Sequence, residues 1–152
     1  MTEEKTLTHP PVANTETTTN ITQVGTVIIP VSDQDRALDF YVETLGFEKV
    51  SDFTYGEGER WVEVIPPGAA TRVSLVRERG DKPAGVQTGV VFVTDDIEAD
   101  HDEMRARGVD VDEIMREGHP VVHWAGAPLA GMPPMFLFRD PEGNSLLMVQ
   151  GS

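Results

Sequence analysis

The octapeptide Thr26-Val27-Ile28-Ile29-Pro30-Val31-Ser32-Asp33 has a counterpart 62 residues further on, Thr88-Gly89-Val90-Val91-Phe92-Val93-Thr94-Asp95, and this repetition decides the fold. The same interval pairs Ala37 with Ala99 and Gly46 with Gly108. In the first copy Val27, Ile28, Ile29 and Val31 predict a strand, and Ser32-Asp33 offers a helix cap. Ala37, Leu38, Tyr41 and Leu45 then recur at helical spacing, and Gly46 stands where a left-handed stop is wanted. In the second copy Val90 to Val93 predict the strand, and Asp95 with Glu98 matches a capping box. Ile97, His101 and Met104 share one helical stripe before Gly108.

Three strand-like runs follow each helix. They are Glu48 to Thr54, Arg60 to Ile65 and Thr71 to Val76 in the first copy, and Asp110 to Arg116, Met135 to Arg139 and Ser145 to Val149 in the second. Gly56-Glu57-Gly58, Pro66-Pro67-Gly68 and Asp140-Pro141-Glu142-Gly143-Asn144 supply turns. The expected architecture is α+β: two βαβββ modules, residues 23–80 and 86–150, curling into a cup-shaped mixed sheet within one domain, 23–152. Residues 1–22, with Glu3, Glu4 and a threonine cluster, are expected to form a disordered tail.

Composition narrows the function. Twelve Lys plus Arg against 26 Asp plus Glu give a net charge of −14, which repels phosphate backbones and anionic lipid, so neither nucleic acid nor a membrane is an expected partner. The absence of cysteine removes disulfides, thiolate metal sites and cysteine nucleophiles. The first 22 residues offer no apolar run for a signal peptidase, and the uncharged stretch 120–138 is broken by prolines and glycines, so a cytoplasmic protein is expected. There is no Gly-rich phosphate cradle and no nucleophile elbow.

The pattern Val31-Ser32-Asp33, Ala37, Phe40-Tyr41, Leu45-Gly46-Phe47 and Phe138-Arg139-Asp140-Pro141-Glu142-Gly143-Asn144 resembles the vicinal oxygen chelate superfamily, which includes glyoxalase I, extradiol dioxygenases and bleomycin-resistance proteins. The resemblance spans Gln23 to Gln150. It implies a cup in which metal enzymes place one ligand in the first and one in the last strand of each module. Carried over position by position, those seats fall on Thr26, Ser74, Thr88 and Leu147. Neutral hydroxyls bind divalent ions too weakly to offset dehydration, and an alkyl group cannot bind at all. No metal and no other cofactor is therefore expected.

Alternation along Arg60-Trp61-Val62-Glu63-Val64-Ile65 puts Trp61, Glu63 and Ile65 on one face, toward the cup. A carboxylate beside an indole is a candidate general base with a raised pKa; the alternative is a strand glutamate paired with Arg72. The same parity directs Thr26, Ile28 and Pro30, Arg72, Ser74 and Val76, Thr88, Val90 and Phe92, and Ser145, Leu147 and Val149 toward the cup. His119 and His123 have the spacing of a metal pair but no third donor, and the alternative is two solvated or hydrogen-bonded histidines. His101 reads as a core-edge residue, and His9 belongs to the tail. The insertion 118–134 serves either as a lid that brings His123 and Trp124 over the cup, with Met132 and Met135 adapting to a planar ligand, or as cover for a sheet edge.

Three functions are compatible with these residues. A metal-free binding protein would sequester a hydrophobic or aromatic small molecule among Thr26, Trp61, Glu63, Ser74, Thr88, Phe92, His123, Trp124, Met135 and Leu147. A metal-independent isomerase, cyclase or lyase would use Glu63 or His123 to move a proton. A metal-dependent glyoxalase or dioxygenase lacks its ligands. The resemblance also implies a homodimer.

Overall fold

The computed structural model of the chain describes residues 18–116 and 133–152, together with the backbone of 123–124 and 127–128. The first module runs β1 (Thr26–Val31), α1 (Gln34–Asp39), a π-helical turn (Phe40–Thr44), β2 (Glu48–Tyr55), β3 (Glu59–Ile65) and β4 (Arg72–Arg77). The second runs β5 (Gln87–Thr94), α2 (Ile97–Ala106), β6 (Asp110–Val111), an inserted hairpin of β7 (His123–Trp124) and β8 (Ala127–Pro128), then β9 (Met135–Arg139) and β10 (Ser145–Gln150). The strands form two four-stranded mixed sheets, β1-β4-β3-β2 and β5-β10-β9-β6. In each, the module's first strand runs parallel to its last, and the other pairings are antiparallel. The fold is α+β, as the repeat implied. The run expected from Asp110 to Arg116 is paired only at Asp110–Val111, with a further bridge from Met115 to Met135. No helix among the described residues is long and apolar enough to cross a membrane.

The repeat is not uniform, and the reason lies in the first helix. Asp33 caps α1 by accepting from the Arg36 amide at 3.0 Å, and Asp96, rather than the expected Asp95, caps α2 by accepting from the Ala99 amide at 3.1 Å. The caps are thus 63 residues apart, whereas Gly46 and Gly108, at φ +82° and +84°, are 62 apart. The extra residue of the first copy is absorbed in the π turn, where the Leu45 amide donates to the Phe40 carbonyl five residues back at 3.0 Å. Before the helix the true interval is therefore 63, and a one-residue slip in a strand exchanges its two faces.

That slip corrects the expected orientation of β5. Val90 and Phe92 pack toward the core, with the Phe92 ring 5.4 Å from Phe47 and 6.4 Å from Phe138. Val91, which pairs with Leu147, and Val93, which pairs with Val149, occupy the opposite face and are 47% and 71% exposed. A bulge accompanies the change: Ser145 pairs with Gln87 but Leu147 with Val91, so Thr88 and Gly89 lie within the irregular stretch, Gly89 at φ +74°.

Inward faces of both sheets share one core. Ile29, Val31, Val62, Val64, Val73 and Leu75 of the first sheet are buried with Ala37 and Tyr41 of the first helical segment. Phe136, Phe138, Leu146 and Met148 join them from the second sheet, with Ile97 and Met104 of α2. His101 completes the α2 stripe as a core-edge residue, its Nε2 2.7 Å from the Asp112 carbonyl oxygen and its ring edge-on to Phe136. Gln34 ties the first helix to its sheet by donating to the carbonyls of Arg60 and Leu75, at 2.8 and 2.9 Å.

The β9–β10 turn latches the modules together. Buried Asn144 accepts from the amides of Gly85 and Val86 and donates to the Pro30 carbonyl and to Asp140. Asp140 in turn accepts from the buried Tyr41 hydroxyl at 2.9 Å. Glu142 reaches the start of the first helix, accepting from the Ser32 hydroxyl, the Asp33 amide and Arg36. Three polar residues of the second module thus complete the helix entry and strand end of the first.

Candidate functional site

On the face of the first sheet turned away from the core, alternation places Thr26 and Ile28 on β1, Arg72 and Ser74 on β4, Trp61 and Glu63 on β3, and Ser51, Phe53 and Tyr55 on β2. Two chemically distinct patches result. The polar one centres on Glu63, only 8% exposed, whose carboxylate accepts from Arg72 at 3.0 Å, from the Ser74 hydroxyl at 3.3 Å and from the Ser51 hydroxyl at 3.4 Å. The Ser74 and Thr26 hydroxyls lie 2.7 Å apart in a hydrogen bond. Burial pushes the Glu63 pKa up, but Trp61, Arg72 and Ser74 together outweigh it and hold the carboxyl below its ordinary value. The raised pKa expected for a general base is corrected: hydrogen bonds from Trp61, Arg72 and Ser74 and the Arg72 charge, acting together, more than offset burial.

The second patch is aromatic. Phe53 stands opposite Trp61 across the β2–β3 ladder, and Tyr55 makes edge contacts with both, at centroid distances of 6.5 Å. Phe53 is 53% exposed, so the wall is built but largely uncovered. Arg60 holds its two strands in register, donating to both carboxylate oxygens of Asp52 at 2.8 Å and to Asp35 at 2.7 Å. The Arg60 contact lowers the Asp52 pKa to about 2. Sequence reasoning named Trp61 but missed Phe53 and Tyr55. The alternation Ser51, Phe53, Tyr55 carried the signal, and the Val50 bulge in β2, between Lys49 and Ser51, obscures its phase.

Two clefts open beside these patches. One, about 630 Å³, is lined by Tyr55, Trp61, Ile28 and Val76 on one side and by the 79–83 connection and the start of β5 on the other. The other, about 790 Å³, separates the edge strands β1 and β5, with Arg72 and the 66–71 loop at one wall and Met104 of α2 at another. Ile28, 57% exposed, and Thr88 line both.

The expected site residues are only partly gathered. Thr26, Glu63 and Ser74 form the hydroxyl-carboxylate patch, Trp61 and Thr88 line the smaller cleft, and Thr88 and Phe92 line the larger. Met135 and Leu147 are buried in the second sheet. His119 and the side chains of His123 and Trp124 lie outside the described residues, as does most of the 118–134 insertion.

The metal implied by the resemblance does not fit the residues in its seats. Thr26 and Ser74 spend their hydroxyls on each other, and Thr88 donates to the Ser145 carbonyl at 2.8 Å and accepts from the Val90 amide. The corrected register gives the Thr88 seat to Gly89, which has no side chain, and Leu147 is an alkyl group. Glu63 supplies one carboxylate, already neutralised by Arg72. Among the described residues no group of three or more His, Asp or Glu side chains could hold an ion.

Comparison with known proteins gives a consistent family. YetH, an uncharacterized protein of Bacillus subtilis strain 168, is 34% identical over 129 residues, covering 84% of this chain and 98% of its own. The crystal structure of TnmS3, an antibiotic binding protein from Streptomyces sp. CB03234, superposes with a TM-score of 0.74 at 35% identity, over 88% of this chain and 99% of that one. A Glyoxalase/bleomycin resistance protein/dioxygenase superfamily member from Sphaerobacter thermophilus DSM 20745 gives 0.69 at 35% identity, over 86% and 98%. The family model for that superfamily matches residues 23–148, and the chain, with its paired βαβββ modules and its Asp140-to-Asn144 latch, belongs to the Glyoxalase/Bleomycin resistance protein/Dioxygenase superfamily.

Proposed function

We propose that this chain is a small-molecule-binding protein of the resistance or sequestration type, which takes up a hydrophobic or aromatic compound beside Tyr55 and Trp61 and has no resident metal. The observation that carries the reading is the aromatic wall of Phe53, Tyr55 and Trp61, next to exposed Ile28 at a cleft of about 630 Å³, a size suited to a drug-like molecule. The antibiotic-binding description of TnmS3, a relative by fold and by sequence, supports it. A proton-transfer enzyme is less well supported, because Glu63 is held by Arg72 with a lowered pKa and sits in a hydrogen-bonded patch rather than at a reactive opening. The protein acts as a homodimer in this reading, since among the described residues β1 and β5 each end a sheet with an unpaired edge and carry exposed apolar side chains.

Tryptophan fluorescence tests the proposal directly, with two uncharged aromatic compounds, N-phenyl-1-naphthylamine and 1-hydroxyanthraquinone, as probes. At least one should bind saturably, and Trp61→Ala should weaken that binding by about tenfold or more, the loss typical of one well-packed aromatic contact. Glu63→Gln should leave affinity within about threefold. Absence of saturable binding by either probe, or binding indifferent to Trp61, would refute the assignment.

A further inference from the structure

The cleft beside Trp61 carries an electrostatic signature that runs against the rest of the molecule. Carboxylates outnumber cations by 26 to 12 in this chain, so each cation should readily find a partner. Most do: Arg36, Lys49, Arg60, Arg72, Arg107, Arg116 and Arg139 each form a salt bridge. Among the described residues, Arg77, Arg79, Lys82 and Arg105 have no carboxylate within 4.0 Å. Three of these four line the same cleft as Tyr55 and Trp61. Among the described residues the only carboxylate lining it is Asp81, and neighbouring Glu78 is engaged with the Ala84 amide at 2.9 Å.

The backbone explains why the cations collect there. Arg77 ends β4, and the chain then turns back on itself, with reciprocal 3.0 Å hydrogen bonds between the main chains of Arg79 and Lys82 before β5 begins. That tight turn places the two residues in the lining of the cleft that Tyr55 and Trp61 also line, so an apolar surface and cations that form no salt bridge among the described residues share a single opening. Cations that form no salt bridge among the described residues, beside an aromatic wall, are suited to an acidic group attached to a ring system.

We propose that the ligand of this cleft is an aromatic compound bearing an anionic group, a carboxylate, sulfonate or acidic phenol, with its rings against Tyr55 and Trp61 and its charge toward Arg77, Arg79 and Lys82. This deepens the binding role proposed above and rests on it. The overall charge of −14 repels such a compound at long range, so its selection depends on the short-range cationic wall and not on steering by the whole surface.

Two fluorescent probes with the same ring system separate the contributions: 8-anilinonaphthalene-1-sulfonate, which is anionic, and N-phenyl-1-naphthylamine, which lacks the sulfonate. The sulfonate should bind about five- to tenfold more tightly at low salt, and the advantage should shrink at about 0.5 M sodium chloride as exposed charges are screened. The double substitution Arg79→Ala, Lys82→Ala should abolish that advantage while leaving the neutral probe unchanged. Arg105→Ala, which removes an unpaired cation outside the cleft, should change neither probe. Trp61→Ala should weaken both. Equal affinity for the two probes, or a sulfonate advantage that survives the double substitution, overturns the anion assignment while the binding role stands. Failure of both probes to bind overturns the two together.

Discussion

Asn144 makes four side-chain hydrogen bonds, one to Asp140 within the β9–β10 turn and three that join the turn to the approach to β5 and the end of β1, so its truncation strands two amide donors and a carbonyl at once. Asn144→Ala should cost about 2–4 kcal/mol, measured as a shift in urea midpoint at unchanged m value. Glu142 adds a pH dependence. Burial pushes its pKa up, but the Ser32 and Asp33 amides, the Ser32 hydroxyl and Arg36 outweigh burial, and the folded value lies below the ordinary 4.5. A carboxyl lowered on folding contributes stability above its unfolded pKa and loses it as pH falls through the folded value. Glu142→Gln should therefore flatten the decline of stability below about pH 4.5 and leave the neutral-to-alkaline side of the profile unchanged in shape. Asp140 works in the opposite sense: burial raises its pKa despite its bonds to Asn144 and Tyr41, so its contribution is present at low pH and lost as pH rises through the folded value. A Glu142→Gln profile that parallels the parent's through the acid limb would remove Glu142 from this account.

At the scale of the element, one residue in the first helix determines which side chains of a distant strand face the core. The π turn at Phe40–Thr44 makes the helix copies unequal, and the strand copies consequently align at 63 instead of 62. The repeat read from Thr26, Val31, Asp33, Ala37 and Gly46 identified the modules correctly, yet it put Val90 and Phe92 in the cup. Both assignments are reversed, because the pleat alternates with period two and has no tolerance for a single-residue error. Substitution distinguishes the registers. Phe92→Ala should destabilise the protein by about 2–4 kcal/mol by removing a ring between Phe47 and Phe138, whereas Val91→Ala should cost about 1 kcal/mol or less. Thermal unfolding of the pair gives the order, and equal losses would contradict the register described.

For the whole molecule, the open edges β1 and β5 and the exposed Ile28, Val91 and Val93 are the features that a second copy would cover. Sedimentation should show a dimer at micromolar concentration, and Val93→Lys should shift it toward monomer without lowering the unfolding midpoint of the monomer; a parent protein that sediments only as monomer at high micromolar concentration would contradict the assembly. The two-module fold was legible because hydrophobic alternation, helix caps and stop glycines are local signals, and they recur in this chain: Val31-Ser32-Asp33 announced a strand end with its helix cap and Asp140-to-Asn144 a turn, whereas the latch between them came from the structure. The identity of the residues at the positions of the family's metal ligands was legible for the same reason: Thr26, Ser74 and Leu147 offer two hydroxyls and an alkyl group wherever they point. Tertiary structure alone decided the rest. The contacts of Trp61, Arg72 and Ser74 with Glu63 set the direction of the glutamate's pKa, the bulge in β2 brought Phe53 and Tyr55 beside Trp61, and the 79–82 turn carried two cations to the same opening. Those outcomes depend on distances between strands remote in sequence, and electrostatic and stacking energies are functions of distance, which residue order does not encode.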